Sequence, residues 1–177
     1  MVEPPITFPD DWKTPSAAVQ KAIDAAAKEY GIDAEILYGI GRRETGFTVN
    51  IVGKANGMNS KAYANSYLKR KDQKIPGSSL TWGDMFPTPE SWSAYGFLQI
   101  NPYNLVGKGL PVKAGAPLAE LLKPQNQARA GAKLLVQLYQ KADGDWPTAI
   151  LYYNGSKQYR ADVAKNIAAL RTANGVA

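Results

Sequence analysis

Residues 33–47 read DAEILYGIGRRETGF and combine a complete helix pattern with one carboxyl group in an unusual place. Asp33 is a favourable N-cap residue and Gly46 is a favourable helix stop, so the stretch predicts one helix between them. Leu37 and Ile40 recur at the spacing of a single helix face. We therefore predict an amphipathic helix whose apolar face packs against other helices.

Glu44 lies on the apolar face of this helix. It follows Leu37 and Ile40 at the i+7 and i+4 spacings that share one side of a helix. Because burial disfavours the charged form of a carboxyl group, we expect the pKa of Glu44 to be raised. A carboxylic acid that keeps its proton near neutral pH can act as a general acid. Two other interpretations stay open, namely a Glu paired with Arg42 or Arg43, or one that reaches solvent at the helix end.

The composition restricts the chemistry in which this carboxyl group could take part. The chain has 177 residues, 45% of them hydrophobic and 20% charged, as expected for one globular domain. It contains neither Cys nor His. Thiol nucleophiles, Ser-His-Asp triads, histidine bases, disulfides and zinc sites built from His or Cys are therefore excluded. We expect no metal and no cofactor.

Helical patterns recur on both sides of the opening stretch. They run from an N-cap at Thr14 to Gly31, over residues 117–122, from Pro124 onward, from Asp145 to Gly155, and through Tyr159, Val163, Ile167 and Leu170. Residues 1–13 predict an extended lead-in. Residues 48–92 predict an irregular insert of loops with one short helix near residues 60–70. We therefore predict a single all-α, or α-dominated, domain over residues 14–177.

The positive charge is concentrated in the insert. The net charge is +6, and the segment from Lys54 to Lys74 contributes +5 of it. Its charged residues are Lys54, Lys61, Lys69, Arg70, Lys71 and Lys74, against Asp72. Such a patch can hold nucleic acid, an anionic cell wall or a membrane surface, or it can be a solvated loop. No apolar run approaches the roughly 18 residues of a membrane-spanning helix.

Two further segments carry side chains that suit a carbohydrate. Residues 93–102 read SAYGFLQINP, an apolar run that contains Gly96 and Gln99. Glycine lets a ligand approach the backbone closely, and a Gln amide pairs well with sugar hydroxyls or acetamido groups. Residues 149–155 read AILYYNG and end a predicted helix with a phenol, an amide and a glycine. Taken alone, each segment is also typical of core packing.

The order of these segments resembles that in the lysozyme-like lytic transglycosylases and goose-type lysozymes. In that superfamily a helix ending E-S-x-F supplies the acid, and a G-L-M-Q-I segment and an A-x-x-Y-N-A-G segment follow in this order. The matching residues here are Glu44 to Phe47, Gly96 to Ile100 and Ala149 to Gly155. Residues 127–132, QARAGA, look like the N-x-x-x-G-A segment of the family. The resemblance covers residues 16–170 and implies a lysozyme-like lytic transglycosylase fold.

The resemblance implies a role for each matched residue. Glu44 would be the single catalytic acid and base, and Tyr153 would donate a hydrogen bond to it. Gly96 and Gln99 would line the groove at the scissile bond, and Asn154 would face the substrate. The predicted substrate-binding residues are Thr45, Gly96, Phe97, Gln99, Tyr153 and Asn154.

This sequence departs from the family pattern in three ways. Thr45 replaces the usual Ser, and Gln127 replaces an Asn in what we interpret as a structural position. The separation of Glu44 and Gln99, 55 residues, is much longer than in most relatives because of the insert. We expect aromatic residues of the insert to stack on sugar rings; these are Tyr63, Tyr67, Trp82, Phe86 and Trp92. The insert also offers candidates for a second carboxylate, which could instead be turn caps or solvated charges: Asp72, Asp84 and Glu90.

We therefore predict an enzyme that cleaves the β-1,4 bond between N-acetylmuramic acid and N-acetylglucosamine in peptidoglycan glycan strands, as a lytic transglycosylase. A muramidase with a second carboxylate, a cell-wall endopeptidase and a glycan-binding module stay open. Residues 1–15 lack the charged-then-apolar pattern of a signal peptide. Together with the insert, this favours a phage virion-associated or lysis protein over a periplasmic enzyme given without its signal. We expect a monomer that binds no nucleic acid.

Overall fold

The computed structural model describes residues 6–53 and 58–176, except for the side chains of residues 58–60 and 63. Within these residues the β-structure is limited to isolated bridges, and one 3-10 helix spans Leu118–Leu122. No described helix is long and apolar enough to cross a membrane. The predicted α-dominated fold is confirmed. The α-helices are α1 (Ala17–Tyr30), α2 (Ala34–Thr45), α3 (Met58–Arg70), α4 (Trp82–Met85), α5 (Pro102–Leu105), α6 (Pro124–Lys141), α7 (Trp146–Asn154) and α8 (Lys157–Ala173).

The chain divides into two compact units. Unit 1 consists of Met1–Phe47 and Ala132–Ala177, and unit 2 consists of Thr48–Gly131. Unit 1 contains α1, α2, α7 and α8, and unit 2 contains α3, α4, α5 and the 3-10 helix. The boundary after residue 131 falls within α6. Unit 2 begins at the first residue of the predicted insert.

The helices of unit 1 begin and end close to their predicted capping residues. Gly31 ends α1 and Gly46 ends α2, both with left-handed backbone. The predicted N-cap of α1 at Thr14 is wrong. Ser16 has extended backbone with ψ of 153°, and its side-chain oxygen accepts from the Val19 N–H at 3.3 Å. The helix therefore begins after Ser16.

Unit 1 is built around α2. Helix α8 packs along it, and the Asn166 side-chain amide donates to the Gly39 carbonyl at 3.0 Å. The predicted lead-in joins this core, because Trp12 is buried and its ring lies 6.0 Å from that of Phe47, centroid to centroid. Burial of the apolar stripes supplies the main stabilising free energy. The buried residues of these helices include Val19, Ile23, Ile36, Leu37, Ile40, Val163 and Leu170.

The core of unit 2 is aromatic. The Trp92 ring meets those of Trp82 and Phe86 edge to face, with centroids 5.2 and 5.6 Å apart, and that of Tyr67 at 6.3 Å. All four side chains are buried. The prediction that these four stack on sugar rings is therefore wrong. Large rings bury the most apolar area per residue, and unit 2 uses them to form a core of its own. The side chain of Tyr63 lies outside the described residues.

Candidate active site

The last turn of α2 presents Glu44. The Gly46 N–H donates to the Arg42 carbonyl at 3.2 Å, and the Phe47 N–H donates to the Gly41 carbonyl at 3.3 Å. This turn needs a left-handed residue at Gly46, where φ is 57°. It turns Phe47 back into the core of unit 1, where its ring is buried. The carboxyl group therefore lies at a helix end that is held by these two backbone hydrogen bonds and by the buried Phe47 ring.

Glu44 is half-buried and accepts a hydrogen bond from a neutral donor. The Tyr159 hydroxyl donates to Glu44 Oε1 at 2.8 Å. Burial raises the pKa of Glu44, and it outweighs the opposite effects of the Tyr159 hydrogen bond and the Arg43 charge. The negative end of the α2 dipole also disfavours a carboxylate here. The group therefore keeps its proton to a higher pH than an ordinary Glu, as a general acid must.

Two tyrosines lie beside this carboxyl group. Tyr159 is buried near the start of α8, and the Tyr153 ring stacks on it with centroids 6.3 Å apart and planes within 9°. Burial, followed by the charge of Glu44, raises the pKa of Tyr153. Burial also raises the pKa of Tyr159. Both phenols therefore stay protonated where the carboxyl group titrates, and Tyr159 acts on it as a hydrogen-bond donor.

At Oε1 of Glu44 the hydrogen-bond donor is the Tyr159 hydroxyl. In the sequence, Tyr159 is only one of the positions on the apolar face of the last helix. It lies 115 residues from Glu44, and only the packing of α8 along α2 joins the two. Tyr153 lies near enough for the Glu44 charge to raise its pKa. A hydrogen bond between Tyr153 and Glu44 stays a prediction.

The two arginines that precede the acid have other partners. Arg43 Nε lies 2.7 Å from Asp162 Oδ2, and its guanidinium lies 5.6 Å from the centre of the Tyr159 ring. The Arg42 guanidinium lies over the Trp12 ring at 5.8 Å. The interpretation that Glu44 simply pairs with a neighbouring arginine is therefore wrong.

The other predicted site residues of unit 1 lie at ends of the same helices. Thr45 is the last residue of α2 and is half-buried, and Asn154 is the last residue of α7 and is exposed. The structure brings Glu44, Tyr153 and Tyr159 together.

Gly96 and Gln99 form the ends of a tight turn in unit 2. Reciprocal hydrogen bonds of 3.0 Å join the backbones of Tyr95 and Ile100, and the Gln99 N–H donates to the Gly96 carbonyl at 3.0 Å. The Gln99 side-chain amide donates to the same carbonyl at 2.9 Å. Gln99 has φ of 50°, a left-handed conformation that is unusual for a residue with a side chain. Strained positions of this kind cluster at functional sites.

Packing explains the glycine of this turn. Gly96 has φ of 69°, and a Cβ there would lie 2.4 Å from Gln127 Cδ. Gln127 is fully buried and donates through Nε2 to the Leu121 carbonyl, in keeping with the structural role predicted for it. Phe97 is also fully buried, so its ring belongs to the core of unit 2. We correct the prediction that Phe97 binds substrate through its side chain.

The carboxylates of the insert have local partners or face solvent. Asp84 forms a capping box with Thr81, whose backbone N–H and hydroxyl lower its pKa. Asp72 pairs with Lys71 at 3.2 Å, and Glu90 is exposed. These surroundings favour the interpretation of the three residues as caps and solvated charges.

One groove of unit 1 lies away from the acid. It holds about 910 Å³ near the start of α2 and the end of α8, and its lining includes Asp33, Ile36, Trp146, Ile167 and Arg171. None of the predicted site residues lines it.

The motifs and the acid at the end of α2 agree with a comparison with known families. A family model described as "Transglycosylase SLT domain" matches residues 21–174. The chain belongs to the transglycosylase SLT domain family. No curated protein and no solved structure matches the chain.

Membership of the transglycosylase SLT domain family supports cleavage of glycosidic bonds in peptidoglycan by a lytic transglycosylase-type activity. Domains of this family bind glycan strands and act at the cell wall. The origin of the chain in a phage virion and its monomeric state stay predictions.

Proposed function

We propose that the protein is a lytic transglycosylase that cleaves the β-1,4 bond between N-acetylmuramic acid and N-acetylglucosamine, with Glu44 as its only acid and base. The observation that carries the proposal is the half-buried Glu44 carboxyl, whose pKa burial raises. The pKa values of Asp84, Asp145 and Asp162 are shifted the other way, because hydrogen bonds favour their charged forms. Glu44 therefore suits proton donation, and the three aspartates suit structural roles.

In the first step, the Glu44 carboxyl gives its proton to the glycosidic oxygen. The bond from that oxygen to C1 of the muramic residue breaks, and N-acetylglucosamine leaves with a free 4-hydroxyl. In the second step, the Glu44 carboxylate takes the proton of the muramic 6-hydroxyl, and the oxygen of that hydroxyl bonds to C1 of the same sugar. The product is a 1,6-anhydro sugar, no water is consumed, and Glu44 ends the cycle protonated.

The Tyr159 hydroxyl serves both steps. Its hydrogen bond to Oε1 orients the carboxyl group, and a bond to a carboxylate is stronger than one to a neutral acid. Glu44 is therefore stabilised as a base after it has acted as an acid. The opposing effect of burial keeps the carboxylate from becoming too weak a base.

We assign substrate binding to Thr45, Tyr153 and Asn154 in unit 1, and to Gly96 and Gln99 in unit 2. The exposure of Asn154 and the strained backbone at Gln99 support this assignment. We propose further that both units serve one catalytic domain over residues 14–177.

Mass spectrometry of fragments released from purified peptidoglycan tests the proposal. We expect 1,6-anhydromuramic ends that take up no ¹⁸O when the digest is made in H₂¹⁸O. Reducing ends labelled with ¹⁸O would instead identify a muramidase, and new free amines an endopeptidase. Binding without any release would identify a glycan-binding module. A Glu44→Gln digest is the control, because a contaminating enzyme would still act in it.

A further inference from the structure

The surroundings of Glu44 include an ion pair for which the proposed reaction has no role. Arg43 precedes the acid on α2, and Asp162 lies on α8 one turn beyond Tyr159. Arg43 Nε and Asp162 Oδ2 are 2.7 Å apart, and the Gln158 amide donates to Asp162 Oδ1 at 2.8 Å. The pair thus joins the two helices that carry the acid and its hydrogen-bond donor.

The same arginine touches the ring that carries the donor. Its guanidinium lies 5.6 Å from the centre of the Tyr159 ring, within the range of a cation–π contact. The Tyr153 ring also stacks on that ring, with centroids 6.3 Å apart. Tyr159 therefore contacts both Arg43 and Tyr153, and its hydroxyl donates to Glu44 Oε1.

We propose that Arg43 and Asp162 form a positioning pair for Glu44, in which Arg43 holds the Tyr159 ring and Asp162 balances the charge that Arg43 brings to the acid. The inference rests on the proposed function for its effect on rate. It concerns residues that touch neither the substrate nor the reacting atoms.

The charges make the two members of the pair act in opposite senses. The groups that act on the Glu44 charge are Arg43 from α2, Tyr153 from α7 and Tyr159 from α8. Without an opposing charge, the Arg43 cation would stabilise the Glu44 carboxylate and lower the pKa of Glu44. The acid would then lose its proton at a lower pH. The Asp162 carboxylate, which lies on α8, offsets the charge of Arg43. The charge of Lys165 acts in turn on Asp162.

Opposite shifts in the pH–rate profile test the proposal. Activity needs protonated Glu44, so the alkaline limb of the pH–rate profile follows the pKa of this group. Asp162→Asn leaves Arg43 unopposed and should move that limb to lower pH, and Arg43→Gln should move it to higher pH. We expect about half a pH unit in each direction, since exposed charge pairs interact weakly. The double variant should return close to the wild-type profile, and Arg43→Lys, which keeps the charge, should shift less than Arg43→Gln.

The ion pair of Glu35 and Arg171 supplies the matched control. It joins the same two helices at their other ends, with Nε and Oε2 2.6 Å apart and a similar exposure. Glu35→Gln and Arg171→Gln should leave the limb in place. Equal shifts in these controls would overturn the proposal, as would shifts of Arg43→Gln and Asp162→Asn in the same direction or no shift in either.

Titration of the Glu44 carboxyl by NMR separates this inference from the proposed function. The signal is assigned by its loss in Glu44→Gln, and it reports the proton affinity without any substrate. If the carboxyl titration shifts as stated while Glu44→Gln remains active, the positioning pair stands and the proposed function fails. If the titration does not shift, the positioning pair fails even where Glu44 proves to be the acid.

Discussion

The two units of the chain differ sharply in charge. Unit 1 has eleven basic and eleven acidic side chains, whereas unit 2 has ten basic and four acidic ones and so carries the whole net charge of +6. The proposed acid belongs to the neutral unit. A strongly cationic unit would favour the Glu44 carboxylate and oppose the effect of burial. Under the proposed function, unit 1 carries the acid and unit 2 carries the positive charge that would attract an anionic wall.

The largest effect should come from the acid of unit 1. Glu44→Gln keeps the shape of the side chain and can still accept the Tyr159 hydrogen bond, but it has no proton to give. We expect the clearing of purified walls to fall by about 10²- to 10⁴-fold. Turbidity measured over time checks this. A variant that clears walls near the wild-type rate would show that Glu44 is a structural residue.

The same variant has a second signature in stability. The folded pKa of Glu44 is raised, so the folded protein still holds this proton where the unfolded chain has released it. The free energy of unfolding therefore falls as the pH rises from the ordinary pKa of a Glu to the raised pKa of folded Glu44. Above that raised pKa the loss is complete. The melting temperature of Glu44→Gln should exceed that of the wild type more at pH 7 than at pH 4. A gain that does not change with pH would contradict the raised pKa.

In unit 2 the largest effect should be on stability instead. Gly96→Ala adds a Cβ 2.4 Å from buried Gln127 Cδ and forces a side chain onto backbone with φ of 69°. We expect a loss of about 2 to 4 kcal/mol in the free energy of unfolding, measured with urea. Gly31→Ala is the matched control in unit 1, because φ there is 65° but nothing lies within 4 Å of the added Cβ. It should cost about 1 kcal/mol. Equal losses in the two variants would mean that backbone strain alone explains why position 96 is a glycine.

The two units also differ in how well the sequence predicted them. In unit 1 the helices follow from local signals, because Asp33 and Gly46 bound α2 and Asp145 and Gly155 bound α7. The place of Glu44 follows from the 3.6-residue period alone. The start of α1 was misplaced by two residues, because Ser16 and Thr14 are both good caps and only the backbone decides between them.

Contacts between distant segments could not be predicted in the same way. Tyr159 reaches Glu44 through the packing of α8 along α2, which no spacing in the sequence encodes. In unit 2 the aromatic residues at Tyr67, Trp82, Phe86 and Trp92 have no regular period, and the same residue types suit a sugar platform or a core. Composition could not decide between those two uses, and burial did.

A smaller effect should come from a single hydroxyl in unit 1. Tyr159→Phe removes the hydrogen bond to Glu44 Oε1 and leaves the buried ring in place. The hydroxyl lowers the pKa of Glu44, so its loss should raise that pKa further and move the alkaline limb of the pH–rate profile to higher pH. We expect the maximal rate to fall about tenfold, or roughly 1.4 kcal/mol of barrier.

Two neighbouring phenols sharpen this test. Tyr152 is 44% exposed with the Lys141 amine 5.0 Å from the centre of its ring, and Tyr152→Phe should leave both rate and profile unchanged. Tyr153→Phe removes the hydroxyl to which the family resemblance points. If Tyr153→Phe moves the profile and Tyr159→Phe does not, the family assignment is right and the hydrogen bond from Tyr159 is only structural.

The smallest effect should come from the surface of unit 2, and it tests the comparison itself. Lys61, Lys69 and Lys74 are exposed, whereas Arg70 donates to Ser66 and Lys71 pairs with Asp72. Changing the three exposed lysines to Gln should weaken binding to intact walls about three- to tenfold at low salt and flatten its salt dependence. The loss should be much smaller on short soluble glycans, which meet fewer of these charges.

The matched control variant changes three exposed lysines of unit 1, Lys13, Lys21 and Lys28, to Gln and so lowers the net charge by the same amount. Equal weakening in both variants would mean that the total charge matters and its concentration in unit 2 does not.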